Sequence, residues 1–157
     1  NGVSKAYAMT GWRIGYAAGP KEIITAMANI QSQSTSNPNS IAQAAAQLAL
    51  EYDQQWVRDT NKIYHARYEL MFNGLNKIPG VKCPPAEGAF YSFPDMQKVI
   101  DNRFKNDLEL AEYLLLEAGI ATVPGSAFGT EGCLRMSFAT NEATIEKALE
   151  RLQAALQ

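Results

Sequence analysis

Little in this chain suits it to holding a metal, binding nucleic acid or crossing a membrane. Its two cysteines, Cys83 and Cys133, stand in unrelated stretches without metal-ligand spacing, which points to two reduced thiols in a cytoplasmic protein and to no metal site. The one histidine, His65, lies between Tyr64 and Ala66 inside a helical pattern and is given no role. Lysine and arginine together number 14 against 16 acidic residues, for a net charge of -2, and they form no run. A nucleic-acid footprint needs cations clustered on one face, so no nucleic-acid partner is expected. No apolar run approaches the roughly 20 residues of a membrane span. The N-terminal stretch lacks the basic and apolar regions of a signal peptide, so no membrane partner is expected either. Internal repeats and low-complexity tracts are missing as well. What remains is 157 residues at 46% hydrophobic and 19% charged, enough for one domain with a real core.

The informative stretch is Gly2-Val3-Ser4-Lys5-Ala6-Tyr7-Ala8-Met9-Thr10-Gly11-Trp12-Arg13-Ile14-Gly15-Tyr16. It sets a lysine among small residues and an arginine at the head of an apolar alternation. A lysine amine becomes nucleophilic when apolar walls or a second cation ease the loss of its proton, and it can then form a Schiff base. Arg13 contributes a permanently charged planar fork that matches phosphate or carboxylate oxygens two at a time. A carbonyl cofactor bearing a phosphate would satisfy both residues, and pyridoxal phosphate is the common molecule of that description.

The order Gly2, Val3, Ser4, Lys5, then Ala8, Met9, Gly11, Arg13, Ile14 and Gly15, resembles the pyridoxal-phosphate attachment signature of class I (fold-type I) aminotransferases. In its Met-Thr-Gly-Trp-Arg-Ile-Gly-Tyr form it is similar to the bacterial aspartate aminotransferase branch. The resemblance implies that Lys5 is the attachment lysine and proton carrier and that Arg13 clamps the phosphate. Gly2 departs from the many relatives that carry a phosphate-binding serine there.

Along the chain, Trp12, Ile14 and Tyr16 alternate as a strand would, closed by Gly19-Pro20. Lys21 to about Gln31 reads as an amphipathic helix with Ile23, Ile24, Met27 and Ile30 packed into a core. Residues 32–40 are polar and contain Pro38, which predicts a loop with Asn39 or Ser40 capping the next helix, Ile41 to Glu51. Asp53 to Lys77 carries the longest helical pattern, with Trp56, Ile63, Leu70 and Met71 near multiples of seven and Pro79-Gly80 as its stop. Val81 to Cys83 and Gly88 to Phe93 are strand candidates, with Phe90 and Tyr91 either core or on the substrate side, core being the favoured reading. Asn106 and Glu109 form a capping-box pattern ahead of a helix bearing Leu110, Leu114 and Ala118 and ending at Gly119. Ile120 to Val123 is a strand broken by Pro124-Gly125. Leu134, Met136 and Phe138 alternate toward a core, which leaves Arg135 facing away, and the last helix, about Asn141 to Leu156, has Ile145, Leu149, Leu152 and Leu156 on one stripe.

The Glu87-Gly88-Ala89-Phe90-Tyr91, Val-Pro-Gly-Ser-Ala-Phe-Gly and Leu-Arg-Met-Ser-Phe-Ala-Thr runs also resemble the family. By that resemblance Arg135 holds the substrate's α-carboxylate. The fold implied is α/β: the small C-terminal domain of a fold-type I aminotransferase (76–157), a long linking helix (53–75), and the tail of the large cofactor domain (1–52). The function implied is the C-terminal part of a pyridoxal-phosphate-dependent aminotransferase that moves an amino group from an L-amino acid, aspartate first, to a 2-oxo acid, in a homodimer. In the family, residues that stack on the cofactor ring and bond its nitrogen and phenolic oxygen lie upstream of Lys5. The alternative expectation, prompted by the abrupt start at Asn1, is a truncated fragment that folds or dimerises without cofactor and catalyses nothing.

Overall fold

The computed structural model describes residues 1–157, with the side chain of Asn102 outside the description. Its contacts divide into two units, Asn1–Thr60 and Asn61–Gln157. The helices are α1 (Lys21–Ser34), α2 (Ser40–Glu51), α3 (Gln55–Leu75), α4 (Gln97–Arg103), α5 (Asp107–Leu116) and α6 (Glu142–Leu156); the strands are β1 (Tyr91–Ser92), β2 (Val123–Pro124) and β3 (Leu134–Ser137). The boundary between the units falls within α3.

The second unit is built around β3. The strict alternation of Leu134, Met136 and Phe138 turns all three inward, where each is buried, and turns Arg135 and Ser137 to the other face. β3 is the middle strand of an antiparallel sheet in the order β1-β3-β2. Tyr91 lies opposite Ser137, and Val123 opposite Arg135. Under the sheet, Ile145 and Leu152 of α6, Leu110 and Leu114 of α5, and Met71 and Leu75 of α3 close the core. Each fully buried side chain of this size contributes about 2 kcal/mol relative to exposure. Both C-terminal helices start where their caps predict. Asn141 Oδ1 accepts from the Thr144 amide at 2.9 Å, and Asn106 Oδ1 accepts from the Glu109 amide at 2.9 Å. Glu109 returns its carboxylate to the Lys105 amide at 2.6 Å, one residue earlier than a capping box would have it. Gly119, at φ +64°, supplies the left-handed residue that follows α5.

Several expected elements are shorter than the sequence suggests. Of Val81 to Cys83 only the Lys82–Asp95 bridge forms, and of Gly88 to Phe93 only Tyr91–Ser92 is strand, because Ala89 takes φ +61° and breaks the extended run. Of Ile120 to Val123 only Val123 is strand; with Pro124 it makes up β2, paired to Arg135 and Leu134 of β3. Of the seven-residue spacing on the long helix, Met71 is buried and Leu70 packs on the core, but Ile63 is exposed, as is Trp56 in the first unit. The stripe that packs instead runs Tyr64, Tyr68, Met71, Leu75, at the helical spacing of four, three and four. Helix α4 has no counterpart in the sequence reading; Asp95 Oδ1 accepts the Gln97 amide at its start, and Val99 and Ile100 are buried.

The first unit has a small core of Val3, Ile14, Ala42 and Ala46, with Tyr7 and Met9 packed on it. The alanines of α2 allow this close approach. Asn39 caps that helix, accepting from the amides of Ile41 and Ala42. The apolar stripe of α1 is present but buries nothing within this chain: Ile23 is 57% exposed, Met27 48% and Ile30 71%. Core packing of that stripe, expected from its period, is therefore not met here.

Candidate active site

Lys5 and Arg13 share one loop of the first unit. Its two ends are pinned where Gly2 and Gly15 bridge. The Tyr16 amide donates to the Asn1 carbonyl at 2.8 Å, and the Asn1 amine donates to the Tyr16 carbonyl at 2.9 Å. The close approach requires a small residue at position 2, since a Cβ on Gly2 would stand 3.1 Å from the Ile14 carbonyl oxygen.

The expected strand from Trp12 to Tyr16 does not form. Thr10–Trp12 is a 3-10 turn, and Arg13 follows at φ +54° in the left-handed region. A strand needs a partner ladder, and the backbone here meets only the Asn1–Gly2 segment, so Ile14 is buried while Trp12 and Tyr16 stay exposed. Within the loop the Ala8 amide donates to the Lys5 carbonyl at 3.1 Å, closing a turn around the lysine, and Ala8 is also left-handed, at φ +53°. A non-glycine residue in that region costs about 1 kcal/mol or more, and such residues gather at functional sites where surroundings over-determine them. The surroundings are visible: Val3 is fully buried below the turn, and the Tyr7 hydroxyl donates to Gln54 Oε1 at 2.8 Å. Gln54 is itself anchored, its amide donating to the Tyr52 carbonyl at 2.6 Å. The loop is thus held at its base while Lys5 and Arg13 project from it, both exposed. Arg13 Nη1 donates to the Thr10 carbonyl at 3.0 Å, which leaves the rest of its fork for an anion.

The donor set of this loop, one primary amine and one guanidinium, fits the aldehyde and the phosphate of pyridoxal phosphate. Among the described residues there is no cluster of His, Cys, Asp and Glu able to hold a metal. No helix among them is long and apolar enough to cross a membrane.

Arg135 lies in the second unit, in the middle of β3 and half-buried. Its guanidinium carbon is 4.5 Å from the centroid of the Tyr91 ring and 4.5 Å from that of Phe128. Tyr91 arrives from β1, diagonal to Arg135 on the same sheet face, and Phe128 from the 3-10 turn Gly125–Phe128 that follows β2. Phe93 meets Phe128 edge-on at 6.3 Å. Among the described residues no carbonyl or carboxylate bonds to the guanidinium. Phe90 packs on the core as expected, whereas Tyr91 sits on the arginine. The sequence pattern puts Tyr91 with the core first, whereas the structure turns it to the face of Arg135, and it gives Phe128 no role. The signal available in the sequence was strand parity: with Phe90 on the core, its neighbour Tyr91 points to the other face. His65 makes an exposed contact with Glu69 Oε1 at 3.5 Å and lies apart from any such arrangement.

Comparison with known proteins joins these pieces. The family model for aminotransferase class I and II matches residues 1–152. The aspartate/prephenate aminotransferase of Nitrosomonas europaea is 50% identical over 163 residues, covering 99% of this chain and 41% of that protein. The aspartate aminotransferase of Rhizobium meliloti is 50% identical over 161 residues, covering 99% of this chain and 39% of that protein. The crystal structure of the aspartate aminotransferase from Rhizobium meliloti superposes with a TM-score of 0.90, covering 99% of this chain and 40% of that one at 50% identity. A Thermus thermophilus aspartate aminotransferase with maleate gives 0.86 at 43% identity, covering 99% of this chain and 40% of that chain. The chain spans about two fifths of the length of the curated relatives it matches. With family-wide sequence agreement over nearly all its residues and the same backbone course, the chain belongs to the class I and II aminotransferases and has the fold of that part of a fold-type I enzyme.

Proposed function

We propose that this chain supplies the attachment lysine, a phosphate contact and a substrate-carboxylate arginine to a pyridoxal-phosphate-dependent aminotransferase acting between an L-amino acid, aspartate first, and a 2-oxo acid. The observation that carries the reading is the single loop pinned by the Gly2–Gly15 bridge, which holds both Lys5 and Arg13 and in which Ala8 and Arg13 are left-handed. The first relatives' own names, aspartate and aspartate/prephenate aminotransferase, support the choice of substrate class. We assign residues 1–52 to the tail of the large cofactor domain, 53–75 to a linking helix and 76–157 to the small C-terminal domain, in a cytoplasmic homodimer.

Pyridoxal phosphate, when bound, supplies an electron sink for chemistry at the substrate's α-carbon. Arg13 holds the phosphate through charge-assisted hydrogen bonds from the part of its fork that Thr10 leaves open. Lys5 Nζ would hold the cofactor at its aldehyde carbon, and the same amine, when free, would accept the proton from the substrate's α-carbon as general base and return it as acid. Arg135 grips the α-carboxylate with two parallel N–H donors and so fixes which α-carbon bond faces the amine.

A second reading, a chain that folds or dimerises but does not catalyse by itself, is favoured by one observation: the first unit buries little and leaves the apolar stripe of α1 exposed. One experiment separates the two. The chain is mixed with pyridoxal phosphate, its visible absorbance read, then reduced with borohydride and mapped by peptide mass. A visible band with the pyridoxyl group concentrated on Lys5 supports the first reading. A colourless preparation, or label spread over Lys21, Lys62 and the other lysines with Lys5 unmodified, overturns it for this chain.

A further inference from the structure

We propose that Tyr91 and Phe128 are positioning residues for Arg135, a two-ring clamp that fixes the guanidinium and leaves its N–H edge for a carboxylate. The proposal rests on the reading of Arg135 as the carboxylate group.

An arginine on a solvated strand face usually wanders. Holding it for a ligand costs much of its rotamer freedom, and water competes for all of its donors. Here two rings, each 4.5 Å from the guanidinium carbon, occupy surface that water would otherwise cover. Ring faces attract the cation, most strongly when it is partly desolvated, but they accept none of its in-plane N–H bonds well. The donors are therefore left unspent, and among the described residues no protein acceptor claims them. A purely structural arginine at this position would be expected to end on a carboxylate or carbonyl. Arg103 does so, donating to the Ala155 carbonyl at 3.0 Å while lying over Phe104 and Tyr113. Arg135 has the rings without the acceptor. That combination suits a receptor already ordered for an anion, because the ordering cost is met before binding.

The clamp is itself braced. Tyr91 is fixed by the β1–β3 register, and Phe128 by its edge contact with Phe93 and by the turn that opens at Gly125, whose amide donates to the Cys133 carbonyl at 2.7 Å. Cys133 precedes the strand that carries Arg135, so one piece of backbone sets both the arginine and a ring.

The test uses the full chain labelled with ¹⁵N-arginine and titrated with maleate. The Arg135 Nε–Hε resonance and the dissociation constant are read for wild type, Arg135→Leu, Phe128→Leu, Tyr91→Leu, Phe128→Tyr and Tyr91→Phe. The expected result is an upfield Hε in wild type that moves toward the unstructured value in each leucine variant. Maleate binding should weaken about threefold per lost ring, and both effects should be absent in the ring-retaining variants. Phe128 is 49% exposed, so its removal deletes little core, and unchanged amide shifts at Ile145 and Leu152 confirm the fold in each case. If Arg135→Leu abolishes binding while both leucine ring variants bind as wild type does, the clamp is refuted and the carboxylate reading stands. If Arg135→Leu itself binds normally, the carboxylate reading falls and the clamp with it. Weaker binding in the ring variants with an unmoved Hε, or equal loss in the ring-retaining variants, also overturns the proposal.

Discussion

Alanine at position 125 should destabilise the second unit far more than alanine at position 74, although both replace a glycine that a Cβ would crowd. Gly125 is buried and opens the 3-10 turn that ends at Phe128. A Cβ built on it would stand 2.3 Å from the Thr130 carbonyl oxygen, 2.8 Å from Cys133 Cβ and 2.9 Å from the Cys133 carbonyl oxygen. Two of those atoms are backbone, held by the Gly125 amide bond to Cys133 and by the Thr130 amide bond to Gly125 at 3.0 Å. Relief means moving a strand end by about an ångström and weakening a hydrogen bond worth about 1 kcal/mol, on top of an overpacking cost of about 1–3 kcal/mol. Gly125 does not lie among the positive-φ residues, so alanine's backbone preference is no obstacle, and the clash alone decides. We expect a loss of about 3 kcal/mol.

At Gly74 the nearest atoms are all in the Leu149 side chain, with a methyl at 2.3 Å, and a flexible side chain can swing away. Alanine inside α3 gains about 1 kcal/mol of helix propensity, which offsets the repacking, so the net change should lie within about 1 kcal/mol of zero. Urea unfolding followed by circular dichroism at 222 nm measures both. Both tryptophans, Trp12 and Trp56, lie in the first unit and would not report on this one. A Gly125→Ala chain as stable as Gly74→Ala would refute the steric reasoning.

In an assembly that turns over substrate, Arg135→Lys should lower kcat/KM by about a hundredfold, near 3 kcal/mol, because an ammonium cannot reproduce the two-pronged grip. Cofactor absorbance should survive that change and fall first in Arg13→Ala, which steady-state kinetics and visible spectra on the same preparations check together. Burial holds the Cys83 and Cys133 thiols above the ordinary thiol range, and the Asp95 and Asp107 carboxylates push Cys133 further in that direction. A raised folded-state value means that the folded chain keeps protons the unfolded chain releases. The stability involved is therefore fully present below about pH 8.5 and is lost as pH rises through the raised values. Unfolding free energy measured from pH 7 to 10 should decline over that upper range, and Asp95→Asn should speed alkylation of Cys133 at pH 8.

The elements legible in the sequence are those whose pattern and boundary agree. For α6 the period of Ile145, Leu149, Leu152 and Leu156 and the cap at Asn141 specify the same helix, and Ile145 and Leu152 are buried in it. In β3 the alternation places Arg135 off the core correctly. Two of the failures share a physical origin, which is that a periodic pattern identifies the apolar side of a segment without stating what covers it. The α1 stripe has the right period and lies exposed, and the Trp12 to Tyr16 alternation lacks a partner ladder. At seven residues, α4 spans barely two turns, too few for a period to register.

The arrangement around Arg135 marks where that limit bears on function. A sequence can say that an arginine leaves the core, and family resemblance can suggest what it grips. Whether the side chain is free to tumble or already held depends on rings that arrive from β1 and from the turn after β2, segments that neither period nor motif links to position 135. The register of β1 against β3 decides the first contact. A slip by one residue would exchange Tyr91 for the buried Ser92 on that face and remove the ring altogether. The tight turn at Gly125 decides the second, since it brings Phe128 back over the strand. If Arg135 holds a carboxylate as proposed, its readiness for that anion is set by sheet register and one turn, and substitutions at Gly125 should disturb carboxylate binding from outside the guanidinium's own contacts.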